Sequence, residues 1–151
     1  MASRYWVGGT GTWDALNVLN WSTTSGGVGG ASVPGAADVA LIDANSGTGT
    51  VTLAYSPVIQ AFRTAGYAGT FDFGTNYVEC TTSGTTVFSG STAATYIGSK
   101  DLRFTSSAST GTRSISFAGA TESNAPNISI TAGTDTINTT GNWANLDTTG
   151  S

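Results

Sequence analysis

Thr70-Phe71-Asp72-Phe73 is followed after three residues by Tyr77-Val78-Glu79-Cys80-Thr81, and this stretch decides the fold class. In both runs a polar residue is bracketed by apolar or ring side chains. Such a period of two sends alternate side chains to opposite faces of an extended chain. The same pattern recurs outward from this point as Val51/Leu53, Leu102/Phe104, Ile115/Phe117 and Ile128/Ile130. Strands are predicted over Val39–Asp43, Thr50–Ala54, Val58–Arg63, Thr70–Phe73, Tyr77–Thr81, Thr85–Ser89, Ala94–Ile97, Asp101–Thr105, Arg113–Ala118, Asn127–Thr131 and Asp135–Thr139. Gly47-Thr48-Gly49, Ala68-Gly69 and Ser83-Gly84 punctuate them as turns. No stretch has a 3.6-residue period, and β-branched residues abound, so the chain is expected to be all-β.

Two architectures suit many short strands. A β-solenoid stacks them as rungs, with Val, Ile, Leu and Phe inside and Thr and Ser outside. A β-sandwich needs hairpins, and no Asn-Gly or Asp-Gly turn joins these strands. The β-solenoid is favoured, with the sandwich as the alternative. Residues 1–38 read as an aromatic, Gly-rich docking or capping segment, and residues 39–151 as the β stack. Within the first zone, Ser25-Gly26-Gly27-Val28-Gly29-Gly30-Ala31-Ser32 is a loop by composition and Pro34-Gly35 a turn. A stack exposes unpaired backbone at its open end, and Trp143 is expected to supply part of a cap there.

Composition narrows the function. Only 9% of the residues are charged, against about 25% in ordinary soluble domains. The balance is made up by small hydroxyl-bearing residues and glycine, and 10% aromatic content argues against disorder. The net charge is −4, and Arg4, Arg63, Lys100, Arg103 and Arg113 are scattered, so no basic stripe offers a nucleic-acid site. No apolar run reaches the ~20 residues of a membrane span. The start of the chain lacks the apolar core of a secretory signal, which suggests assembly in a cytoplasm and release by lysis, or export by a separate route. The single cysteine, Cys80, reads as a buried core residue.

The chain has no histidine, which excludes Ser-His-Asp and Cys-His catalysis and ordinary zinc sites. Carboxylate-pair chemistry would draw on Asp72, Glu79, Asp101 and Glu122. Each is flanked by apolar residues pointing the other way, so each is expected to face solvent. Asp43-Ala44-Asn45-Ser46-Gly47 lacks the third acid and closing Glu of a calcium loop, and reads as an Asx-type turn. Gly8-Gly9-Thr10-Gly11 precedes no helix and offers no lysine, so it fails as a phosphate loop. No catalytic residue, metal site or cofactor is expected. The candidate interface residues are Tyr5, Trp6, Trp13, Trp21 and Trp143. The N-terminal rings suit either a buried plug or subunit interface, or an exposed platform for a host glycan.

Arg4-Tyr5-Trp6-Val7-Gly8-Gly9-Thr10-Gly11-Thr12-Trp13-Asp14, then Asn20-Trp21-Ser22, Val33-Pro34-Gly35-Ala36-Ala37-Asp38 and Ile42-Asp43-Ala44-Asn45-Ser46-Gly47-Thr48-Gly49-Thr50-Val51-Thr52-Leu53 resemble the opening of tailed-phage virion proteins and related bacterial surface proteins. There a Trp/Gly-rich start precedes repetitive β-structure. The resemblance covers about residues 4–54 and is compositional afterwards. It implies a structural, non-catalytic virion protein: a capsid decoration (cement) protein working as a homo-oligomer, a trimer by analogy, on the major capsid protein or other virion proteins. A fibre or glycan-binding adhesin module is the alternative. The short length favours decoration over a long fibre. In such a setting the glycosylation sequons at Asn20, Asn127 and Asn138 would be idle.

Overall fold

The computed structural model describes residues 1–81, 86–105, 112–116, 125–131, 136–140 and 146–147. The chain is all-β, and its sheets are mostly parallel. It opens with β1 (Ala2–Trp6), β2 (Gly11–Trp13), β3 (Trp21–Ser22), β4 (Asp38–Leu41), β5 (Thr50–Leu53), β6 (Val58–Ile59), β7 (Ala61–Arg63) and β8 (Thr70–Asp72). It continues with β9 (Tyr77–Cys80), β10 (Thr86–Ser89), β11 (Thr95–Ile97), β12 (Asp101–Thr105), β13 (Thr112–Ser116), β14 (Asn127–Thr131), β15 (Thr136–Thr140) and β16 (Leu146–Asp147). Among the described residues no α-helix occurs; Val18–Asn20 and Ala44–Ser46 are single 3-10 turns.

The strands form three sheets, in the orders β3-β1-β4-β7-β10-β13-β15, β2-β5-β8-β11 and β6-β9-β12-β14-β16. Among the described residues every pairing is parallel except that of β1 with β3. The consecutive strands β4, β5 and β6 enter the first, second and third sheets in turn, and β7, β8, β9 and then β10, β11, β12 repeat that order. Parallel neighbours cannot be joined by a hairpin, and here the return path runs through the other two sheets.

Register stacks like on like. Val51, Phe71 and Tyr96 align across β5, β8 and β11, as do Ala40, Phe62, Phe88 and Ile115 across the first sheet. Val78, Leu102 and Ile128 do the same in the third. All are buried and belong to one cluster drawn from all three sheets. Rings run through it in contact: Phe62 to Phe71 at 5.0 Å between centroids, Phe71 to Phe73 at 4.8 Å, and Phe62 to Phe88 at 5.9 Å. Burying rings of this size supplies much of the driving force of a fold.

The strand expected over Val58–Arg63 is two strands in different sheets, with the chain turning at Gln60, whose N–H bonds Asp38 O at 2.8 Å. The corner lets Ile59 and Phe62 both reach the core. The first zone also holds strands that composition concealed. Ala2–Trp6 lies in register beside Asp38–Leu41, and Gly11–Trp13 beside Val51–Leu53. The sheets formed by the described strands after residue 38 therefore continue, without a break, into residues 1–38.

Buried polar groups are tied to neighbouring strands. Ser46 Oγ donates to Trp6 O at 2.8 Å, and Asp43 Oδ1 accepts from Asn45 N at 2.9 Å in an Asx turn. Tyr67 Oη lies 2.6 Å from Gly49 O and 3.0 Å from Thr70 O, while Thr64 Oγ1 meets the Tyr96 hydroxyl. Burial, with Tyr96 nearby, pushes the Tyr67 hydroxyl from 10.0 up to about 12; burial raises Tyr96 as well. The unfolded chain ionises first, so it holds fewer protons than the folded chain above pH ~10 and stability falls as pH rises from there to about 12. Denaturant midpoints at pH 9 and 11 are expected to fall less for Tyr67→Phe than for the parent chain, although the variant starts lower for want of its hydrogen bonds.

Candidate docking surfaces

Trp6, Trp13 and Trp21 end β1, end β2 and begin β3, and all three are 0% exposed. Trp21 stands edge-on to Trp6 at 5.4 Å and to Trp13 at 4.8 Å, and Trp13 reaches Phe71 at 6.3 Å. Trp6 Nε1 donates to Gly9 O at 3.0 Å. These rings seal the core where the first sheet ends in β1 and β3 and the second ends in β2. With no exposed surface in the single chain, these three rings fit the buried plug rather than an exposed platform for a sugar. The reason is the pairing of β1 with β4 and β2 with β5, which turns the alternating rings inward. Tyr5, in register with Leu41 and Ser22, is half-buried. Trp143 lies outside the described residues.

The outer face of the second sheet carries hydroxyls. Thr50, Thr70 and Thr95 align across β5, β8 and β11; Thr12, Thr52, Asp72 and Ile97 form the adjacent row. Neighbours within a row are ~4.8 Å apart and the rows ~6.7 Å, from strand spacing and rise. Asp72 is the only charged residue in these rows, and its Oδ1 accepts from Gly74 N at 2.8 Å.

Charge gathers on the third sheet. Tyr77 aligns with Asp101 and Asn127, and Glu79 with Arg103 and Ser129. Arg103 Nε donates to Asp101 Oδ2 at 2.8 Å, and its guanidinium lies 3.7 Å over the Tyr77 ring. Thr105 Oγ1 donates to Glu79 Oε1 at 2.6 Å. Of the acids considered for carboxylate-pair chemistry, Asp72 therefore sits on a different sheet from Glu79 and Asp101, Asp101 is held by Arg103, and Glu122 lies outside the described residues. Among the described residues no group of three or more His, Cys, Asp or Glu is placed to hold a metal ion. The Arg103–Asp101 pair is partly exposed, so Asp101→Asn is expected to cost only ~0.5 kcal/mol. Arg103→Ala should cost about 1 kcal/mol, since stacking on Tyr77 goes too. Urea midpoints at low and high salt check both, the first effect fading with salt.

A feature the sequence reading missed lies between Asp14 and Ala31. Leu16 is 87%, Leu19 72% and Val28 92% exposed, with Val18 partly so. The nearest sequence signal was the absence of any charged residue from Ala15 to Ala37. The backbone beneath them is pinned. Asp14 Oδ1 accepts from Leu16 N at 2.8 Å and Asn17 N at 2.7 Å, and Gly30 N reaches Val18 O and Trp21 O at 3.0 Å each. Gly29 lies so close that a Cβ there would stand 1.9 Å from Leu19 O. The Gly-rich loop is thus fastened to the 3-10 turn as an apolar tip. A scan of protein-family models, a search of curated proteins and a search of solved structures each return no match to this chain.

Proposed function

We propose that this chain is a non-catalytic structural protein of a tailed-phage particle, a capsid decoration protein that acts as an oligomer, and that its three sheets are the sides of a short β-solenoid. The observation that carries the reading is the pairing of a stacked aromatic core with an outer face of aligned threonines. The order in which the strands visit the sheets supports the solenoid: each group of three strands returns to lie in parallel register on the group before. Such a stack is stiff, because each rung is bonded to the next and side chains are interlocked within.

A threonine face suits broad, shallow contact. Hydroxyls cost less to bury than charges, and their methyl groups add apolar area. Weak contacts repeated around a symmetric shell add up through multivalency. The phage setting is supported by the resemblance of residues 4–54 to virion proteins, and the trimer and the capsid partner follow by analogy with that group. The carboxylates seen on the third sheet are engaged by Arg103 and Thr105, which suits a scaffold better than a cleavage site.

Quantitative mass spectrometry of purified particles tests this. Hundreds of copies per particle are expected. A handful would point to a fibre, and absence from the particle would overturn the reading. A glycan array run with the same protein decides the adhesin alternative, for which specific binding is required.

A further inference from the structure

The backbone bonds between stacked strands run both ways: Thr70 N donates back to Gly49 O, and Phe73 N forward to Ile97 O, at 3.0 Å each. Side chains at the corners are not so even. Between the first and second sheets, Tyr67 Oη donates back to Gly49 O, and Ser91 Oγ in turn to Tyr67 O, at 2.6 Å each. A second series follows the corner between the second and third sheets. There Asn76 Nδ2 donates to Leu53 O at 3.0 Å, Ser99 Oγ to Asn76 O, and Asn127 Nδ2 to Ser99 O at 3.1 Å. Each donor belongs to a later group of strands, and each acceptor carbonyl to the group on which it is stacked. Ser46, bonded to Trp6 O, begins the pattern. Thr64 runs against it, donating forward to Ser89 O at 3.3 Å.

Direction matters because a donor depends on its partner more than a carbonyl does. A buried donor without an acceptor is rare and costly, whereas a carbonyl has two lone pairs and better tolerates the loss of one bond. Ser46 and Ser91 are 2% and 5% exposed, so their hydroxyls rely on the carbonyl behind them. Removing a later group therefore takes from the earlier one a second bond to a carbonyl. Removing an earlier group strands the donors of the later. The N-terminal end is also closed on itself. Antiparallel β3 ends the first sheet, with Trp21 O accepting from Gly30 N and Ala31 N, and Asn20 Nδ2 takes up Thr12 O at 3.2 Å on β2, the end strand of the second. Trp6, Trp13 and Trp21 fill the core there. A stack held only by contacts between like neighbours would open from either end.

We propose that this stack opens from one side only: β1 to β5, with the packed tryptophans, form a seed, and the strands from β14 back to β10 separate from it group by group. The corner side chains make each group depend on the one before it and not on the one after. The order of opening follows from these bonds alone and holds whether or not the chain belongs to a particle.

Native-state hydrogen exchange of the full chain, read peptide by peptide where reclosing outruns exchange, is the test. Amides of β1, β4 and β5 are expected to be protected at least ~10-fold more than those of β12 and β14. Two core substitutions then fix the order, since Val51 in β5 and Ile128 in β14 are both buried. Ile128→Ala weakens the closed stack relative to every open form, so it should hasten exchange in all the strands by ~10-fold or more. Val51→Ala weakens the closed and the half-open forms alike. It should hasten β1, β4 and β5 by a similar factor and leave β12 and β14 unchanged. Ser91→Ala, which deletes a donor of the β10–β12 group, should hasten that group and all before it but not β14. Equal protection along the parent chain, or faster exchange in β1 than in β14, would overturn the proposal. So would a Val51→Ala effect that reaches β14, the mark of all-or-none opening, or an Ile128→Ala effect that spares β1, the mark of opening from both ends. If Val51→Ala does not fold, the parent gradient and Ile128→Ala still decide.

Discussion

Trp13→Ala is expected to destabilise the protein by about 3–5 kcal/mol, the range for removing a large ring from a packed core. Total stabilities of domains are only ~5–15 kcal/mol, so much of the folded population is at risk. Trp13 is 0% exposed, with Trp21 at 4.8 Å, Phe62 at 6.2 Å and Phe71 at 6.3 Å. It joins the tryptophans of the first zone to Phe62 and Phe71, and its loss opens a cavity where two sheets meet. Trp13→Phe, which keeps a ring there, should cost less than half as much. Urea denaturation followed by near-ultraviolet circular dichroism measures both. If Trp13→Ala stays within ~1 kcal/mol of the parent, the ring is not core and the glycan-platform reading returns.

Gly98→Ala is expected to destabilise the protein by about 3 kcal/mol. Two penalties act together. Gly98 has φ +79, where an L-residue loses roughly 1–2 kcal/mol. Its added Cβ would also stand 2.5 Å from Gly74 N and 2.7 Å from Gly74 O, backbone atoms of the turn stacked against it. Overpacking of this kind costs about 1–3 kcal/mol. Gly9→Ala separates the two, since Gly9 has φ +56 and nothing within 4 Å of a Cβ. It should cost only the conformational part, about 1 kcal/mol. Equal midpoints for the two variants would mean that the turns at Gly74 and Gly98 are not stacked as described.

The strands after residue 38 were legible because their signal is local. Phe71-Asp72-Phe73 and Leu102-Arg103-Phe104 need only a period of two to declare which side chains turn inward, and those positions are buried. The corner at Gln60 was not legible, because Val58–Arg63 reads as one β-rich run and only the need to serve two sheets divides it. β1 to β3 were hidden by glycines and tryptophans that, taken alone, compose a loop. What makes them strands is pairing far away in sequence: β1 with Asp38–Leu41, β2 with Val51–Leu53, and β3 with β1.

The surfaces divide in the same way. That Thr50, Thr70 and Thr95 point outward followed from alternation, but that they share one row required the register. The tryptophans were singled out by type as either a buried plug or a contact surface, because type cannot tell a ring that docks from one that seals the core. The aliphatic residues that stay outside were passed over, since leucine and valine ordinarily go in. Composition and alternation settled by themselves that this chain is all-β, with rings inward and hydroxyls outward, because both depend on neighbours one or two residues apart. Tertiary structure alone decided which strands stack, that Arg103 engages Asp101 beside Tyr77, and that Leu16, Leu19 and Val28 are held in solvent. Those outcomes hang on bonds such as Ser46 to Trp6, 40 residues apart, and on a core already filled by other side chains.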